Sequence, residues 1–119
     1  MTAGATVPRQ DERLSLMARY FQVLADPVRL AILERLADGE KHVSGLVAAL
    51  GMPQGRVSSH LSCLRWCGYV QSQQKGKFVY YRLADERVLV VLRIAQELMG
   101  SNAEHLASCT RLAQERLPG

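Results

Sequence analysis

From Asp11 onward, apolar side chains recur at the three- and four-residue spacing that gathers them on one face of a helix. Leu14, Met17, Phe21 and Leu24 set out a first helix in this way. Asp26-Pro27 then offers an N-cap acceptor followed by proline at the first helical position, where its missing N–H costs nothing. The second helix turns Leu30, Leu33 and Leu36 inward. It is expected to stop at Asp38-Gly39, where glycine can take a left-handed C-terminal conformation. A third, short helix carries Val43, Leu46, Val47 and Leu50 and ends at Gly51. A fourth follows almost at once, starting near Pro53 or Gln54 and ending at Gly68.

After Gly68 the pattern becomes that of strands. YVQSQQKGKFVYYRL has the form of two strands, Tyr69 to Gln74 and Phe78 to Leu83, around a Lys75-Gly76-Lys77 turn. From Asp85 a long helix carries Val88, Val91, Leu92, Ala95, Leu98 and Met99 on one stripe. Gly100 interrupts it, and Ser101 with Glu104 three residues on forms a capping box for a last helix through His105, Leu106, Cys109 and Leu112. Residues 1–10, with Gly4 and Pro8, make a loose N-terminus, and residues 11–119 one domain. The expected fold is mainly α with a two-stranded β-hairpin. Two short helices joined by a glycine turn are a weak helix-turn-helix signal alone. A basic-tipped hairpin directly after them is the order of a winged helix-turn-helix.

Charge sharpens this picture. The net +4 of the 119-residue chain is not spread evenly. Residues 1–39 hold five basic and five acidic side chains, and residues 83–119 hold four and five. Residues 40–82 hold six basic ones (Lys41, Arg56, Arg65, Lys75, Lys77, Arg82) against Glu40 alone. A basic segment between neutral ones suits a surface that meets a polyanion, although a solvated basic face has the same composition. Met1 to Gln10 lacks the apolar core of a signal peptide, and the apolar run Val88 to Leu92 is too short to span a bilayer. A cytoplasmic protein without membrane contact is therefore expected. Neither a nucleophile triad, nor a glycine-rich phosphate loop, nor paired carboxylates in a plausible cleft can be found, so no enzyme is expected.

On a wheel of about 100° per residue, Val57, Leu61 and Leu64 of the fourth helix fall within roughly 60° and form its core stripe. Gln54, Arg56, Ser58, Ser59 and His60 occupy its early, polar part, where side chains can reach base edges or phosphates in a major groove. Lys75 and Lys77 at the wing tip would meet phosphate. For His60, packing against a neighbouring helix is an equal alternative. Cys63 and Cys67 lie about 40° apart on a flank away from the core stripe. Their i, i+4 spacing stacks two thiols one turn apart, suited to a soft metal and poorly suited to a relaxed disulfide. Two thiolates are short of the three or four donors such sites use, and an odd cysteine count makes a disulfide framework improbable. Cys109 is the remaining thiol, with His105 one turn before it.

The segments LADPVR (24–29), VSSHLSCLR (57–65) and GKFVYYRL (76–83) together resemble the ArsR/SmtB family of metal-responsive winged-helix repressors, over roughly residues 12–100. The resemblance implies a homodimer, joined through its first and last long helices, that binds operator DNA and leaves it when an inducer binds. Among that family's sensing sites, the arsenic type needs a Cys-x-Cys at the start of the third helix, where this chain has Lys41-His42-Val43-Ser44. The zinc type needs histidine on the fifth helix, and DERVLVVLRIAQELM has none. What remains resembles the CmtR-type cadmium/lead sensors, in which two thiolates come from the recognition helix and a third from the C-terminal segment. The carried-over ligands are Cys63, Cys67 and Cys109, with His105 a candidate fourth, and the inducer is cadmium (Cd2+) or lead (Pb2+). Other thiophilic metals, trivalent arsenic, or a redox or persulfide signal acting on the same cysteines are alternatives. Whether Cys109 is given by the same or the partner subunit is open.

Overall fold

The computed structural model describes residues 10–109. They form α1 Gln10–Leu24, α2 Pro27–Arg35, β1 Lys41–His42, α3 Val43–Leu50, α4 Gln54–Trp66, β2 Val70–Lys75, β3 Phe78–Leu83 and α5 Arg87–Ala107. The chain divides into two compact units, one up to Asp85 and one from Glu86.

Asp26 starts α2 in the manner its residue type favours. Its backbone is extended, and its Oδ1 accepts the N–H groups of Val28 at 2.8 Å and Arg29 at 3.2 Å. Burial pushes the carboxyl pKa up, but those two N–H bonds and the charges of His60 and Arg29 outweigh it, leaving the pKa lowered. The helix ends sooner than expected, at Arg35, and Leu36–Asp38 tighten into a 3-10 turn. Gly39 then takes φ 133° and ψ 179°, a conformation essentially reserved for glycine but not the left-handed helical one anticipated.

Gly51 does take the left-handed conformation, at φ 64° and ψ 35°, and its N–H closes α3 on the Val47 carbonyl at 2.9 Å. That geometry lets α4 begin three residues later. Ile32, Leu33, Leu46, Val57, Leu61 and Leu64 are fully buried and form the centre of the first unit. Ile32 was absent from the expected inward set, and Leu30 within that set is only half-buried.

The hairpin is present, with β2 and β3 antiparallel and Val70 opposite Leu83, Ser72 opposite Tyr81 and Lys75 opposite Phe78. A third strand was not anticipated: β1 pairs with β3, Lys41 opposite Tyr81 and His42 opposite Tyr80, giving the order β1-β3-β2. Two residues are too few to show a strand period in sequence. This strand ties the wing to the residue before α3.

The apolar stripes of α1 and α5 are only partly buried in this chain. Leu24 and Val88 are buried, but Leu14, Met17 and Phe21 on α1 and Leu98 and Met99 on α5 are exposed. In the second unit, helical structure continues through Gly100, and the break falls at Asn102, whose φ −131° and ψ 25° kink α5. No helix among the described residues is long and apolar enough to cross a membrane.

Asp26→Ala is expected to cost about 1 kcal/mol, lowering Tm by about 4–8 °C in thermal unfolding near pH 7. Because folding lowers this carboxyl's pKa, its stabilisation is complete above the unfolded-chain value and is lost as pH falls through the lower folded value. The difference between Asp26→Ala and the unmutated protein should therefore shrink in melts taken at progressively more acidic pH.

Candidate functional site

Complete burial of Val57, Leu61 and Leu64 fixes how α4 is rotated about its axis. About 180° from that stripe lie Gly55, Ser59, Ser62 and Trp66. Trp66 is 84% exposed, the most exposed large apolar side chain described. Of the expected DNA-reading residues, Gln54, Arg56 and Ser59 are exposed, while Ser58 and His60 are half-buried.

His60 is engaged. Arg29 of α2 donates from Nε to His60 Nδ1 at 3.1 Å and from Nη1 to the Val23 carbonyl at 3.3 Å. One guanidinium thus joins the end of α1, the start of α2 and the middle of α4, which is the packing role weighed for His60. Sequence spacing gave no sign of Arg29, 31 residues away.

At the wing, Lys75 and Lys77 are exposed beside the turn. Lys75 is ion-paired with Glu40, the one acidic residue of the basic segment, and its Nζ lies 5.2 Å from the centre of the Tyr80 ring. Lys77 Nζ lies 5.8 Å from the Phe78 ring centre. His42 packs its ring 5.4 Å from both Phe78 and Tyr80.

The thiol pair sits at the other end of α4. Cys63 is half-buried and Cys67 exposed. The helix proper ends at Trp66, so Cys67 is its C-cap and not an interior residue as expected. Its N–H still reaches the Cys63 carbonyl at 3.0 Å, which preserves the one-turn stacking. The Cys67 thiol pKa is raised, by burial first and then by the charge of and a hydrogen bond with Cys63; the Arg29 charge opposes this. Tyr69 closes the neighbourhood. Its hydroxyl donates to the Tyr20 carbonyl at 2.8 Å, and its pKa is pushed up to about 12, mainly by burial, with Tyr20, Cys67 and Cys63 adding.

Cys109 and His105 belong to the second unit. His105 lies in the last turn of α5, but Cys109 falls past the helix end and not on a helix as expected. Ser108 caps that end through Oγ to the Glu104 carbonyl at 2.9 Å. Cys109 is exposed, and its N–H bonds to the Leu106 carbonyl at 3.3 Å. Leu112, placed on the same expected helix, lies outside the described residues. Among the described residues no three or more His, Cys, Asp or Glu side chains are grouped to hold a metal ion. The donor chemistry on α4 fits a soft ion, and the pair is one or two donors short.

A helix-turn-helix followed by a small antiparallel sheet with a basic-tipped hairpin defines a winged-helix DNA-binding domain. The sequence profile of the bacterial regulatory proteins of the arsR family matches residues 26–72. A probable mercury resistance operon repressor from Streptomyces lividans is 43% identical over 98 residues, which is 82% of this chain and 78% of that one. The HTH-type transcriptional regulator CmtR from Mycobacterium tuberculosis is 46% identical over 76 residues, 64% of either chain and so just under two thirds of its length. The solution structure of a homodimeric winged helix-turn-helix domain from Mycobacterium bovis, a possible ArsR-family regulator, superimposes with a TM-score of 0.71. It is 33% identical, over 87% of this chain and 95% of that one. The chain belongs to the ArsR family, whose members are DNA-binding transcriptional regulators and not enzymes.

If Lys75 meets DNA phosphate, Glu40 competes for it. Glu40→Gln is expected to raise affinity for duplex DNA about twofold to fivefold at low salt, the range of an exposed ion pair. Fluorescence anisotropy would measure it, and the gain should vanish in a Lys75→Ala background.

Proposed function

We propose that this chain is a homodimeric transcriptional repressor, acting in the cytoplasm, whose apo form binds operator DNA. A soft metal ion held by Cys63, Cys67 and Cys109 releases it. The observation that carries this reading is the position of the thiol pair. Cys63 and Cys67 end the helix whose beginning presents Gln54, Arg56, Ser58 and Ser59, so sensing and reading share one rigid element. Lys75 and Lys77 supply phosphate contacts from the wing. The exposed apolar residues of α1 (Leu14, Leu16, Met17, Phe21) and of α5 (Ile94, Leu98, Met99) are the surfaces that a second copy would cover.

The metal site is completed by Cys109, from the same or the partner chain, with His105 as a candidate fourth donor. Drawing the C-terminal segment to α4 would change the angle of that helix or the spacing between the two reading helices of the dimer. Half-site spacing is a geometric requirement, so a small rigid-body change is enough. A coupling of about 1–3 kcal/mol, about fivefold to 150-fold in affinity, is the usual scale of such linkage. Resemblance to the CmtR-type sensors favours cadmium or lead. The name of the Streptomyces relative makes mercury the second reading. A redox signal is disfavoured, because a reactive cysteine needs a lowered pKa and that of Cys67 is raised.

The deciding experiment is fluorescence anisotropy of the reduced protein on DNA from its own promoter, titrated in parallel with Cd2+, Pb2+ and Hg2+. Release at about one ion per protomer, reversed by chelator, is expected. Serine at Cys63, Cys67 or Cys109 should leave DNA binding intact and weaken release; full response in all three variants would discard this site. A thiol with a raised pKa is protonated at neutral pH, so its proton must leave when metal enters. Metal affinity should therefore climb with pH, about tenfold per unit for each proton displaced, until pH passes the thiol pKa. Thiolate–metal absorbance across a pH series would measure the slope, and a pH-independent affinity would contradict thiolate ligation.

A further inference from the structure

Between the C-terminal turn of α4 and the outer face of the wing lies a shallow depression of about 580 Å³ that the reading residues do not use. Arg65 lines it from α4 and Arg82 from β3, with the side chains of Gln71 and Gln73 on β2 beside them. Arg82 stands directly opposite Gln71 in the ladder and donates from Nη2 to Gln71 Oε1 at 2.8 Å. That bond orients the guanidinium without neutralising it. The side chain of Arg65 has no hydrogen bond or ion pair among the described residues. No carboxylate lines the depression. Two cations with amide donors and no counter-charge form a site for a singly or doubly charged oxyanion.

We propose that this depression binds a phosphodiester of the DNA backbone, which adds Arg65 and Arg82 to the DNA-contacting surface. The inference rests on the DNA-binding reading above and extends it to a part of the wing that is not its tip. Rotation of α4 supplies the choice of occupant. Gln54, Ser58 and Arg65 fall within about 40° of one another on the helical wheel, and Arg65 of that flank lines the depression beside the wing. A helix seated in a major groove about 12 Å wide has a phosphate wall along each flank. The wall on the wing side would run past Gln54 and Ser58 towards Arg65, and β3 would bring Arg82 to it from the other side. The opposite flank, with Arg56, Cys63 and Cys67, carries the thiol pair and faces Arg29. The two flanks would then divide the work, one gripping the backbone and the other holding the metal.

Arg65→Gln, Arg82→Gln and the double variant test this by the salt dependence of binding, read by anisotropy on promoter DNA and on an unrelated duplex of equal length. Each lost phosphate contact should flatten the slope of log affinity against log salt by about 0.9. Affinity should drop by similar factors on both duplexes, since a backbone contact reads no sequence. Arg65→Lys and Arg82→Lys keep the charge and should keep most of the slope. They also show whether any loss in the glutamine variants comes from the charge or from misfolding, which circular dichroism would monitor. Unchanged slopes in folded glutamine variants would overturn the proposal, as would a loss confined to promoter DNA. If the unsubstituted protein shows no salt-dependent DNA binding, the DNA-binding reading itself fails. If it binds and the variants match it, only the phosphate site fails.

Discussion

The rotation of α4 about its own axis is the constraint on which everything functional here depends. Val57, Leu61 and Leu64 have no exposed surface, and burying three such side chains contributes about 1.5–3 kcal/mol each before entropy is counted. A helix locked by one stripe has no choice about its other faces. Ser59, Ser62 and Trp66 must point outward, Gln54, Ser58 and Arg65 to one side, and His60, Cys63 and Cys67 to the other. Arg29 adds a polar restraint at His60 that apolar packing cannot supply, because a hydrogen bond has direction.

Much of this was legible in the sequence, and the misses have physical causes. The core stripe of α4 followed from helical spacing, and so did the thiol flank. Asp26-Pro27 marked a helix start that the structure has, and Gly51 marked a stop. The hairpin was visible in its turn and in its aromatic strand. What stayed hidden was long-range. Strand β1 is two residues long and exists only because β3 offers it an edge. Arg29 looks like any polar residue in the first turn of a helix until its partner, 31 residues on, is in place. Periodicity gathered the apolar residues of α1 and α5 onto one stripe each, which reports that a face avoids water but not what it meets. Leu14, Met17 and Phe21 satisfy the pattern while lying exposed on this single chain. At Cys109, a capping box suggested a helix that would carry the thiol. The structure instead kinks at Asn102 and ends the helix at Ala107, because local capping preference is weaker than the hydrogen-bonding of a continuing helix.

Under the proposed function, sensing and reading on one helix would shorten the path between them. Where a sensor site lies far from the DNA surface, coupling needs an intermediate element with two arrangements. Here Cys63 and His60 are three residues apart on the same flank, and the guanidinium that donates to His60 Nδ1 is also felt by Cys67. Any charge that develops on the thiols acts on the side chain that holds the middle of α4. Tyr69, whose phenol pKa is pushed up to about 12, adds no second negative charge beside the thiols at neutral pH. It keeps its hydrogen bond to the Tyr20 carbonyl, which anchors α1 behind the pair.

The raised pKa of Cys67 bears on DNA binding as well as on metal chemistry. A thiolate on α4 would place negative charge a few residues from side chains meant to lie beside phosphates, and within the screening distance of about 8–10 Å such charge repels the backbone. Under the proposed function, keeping the Cys67 thiol protonated in the apo state would remove that conflict and favour the DNA-bound form. The balance reverses on metal binding under the proposed reading. Three thiolates around a divalent ion would carry a net charge of −1, so the electrostatic effect at the helix would have the same sign as the geometric one. Both oppose the phosphate, and neither requires the helix to unfold.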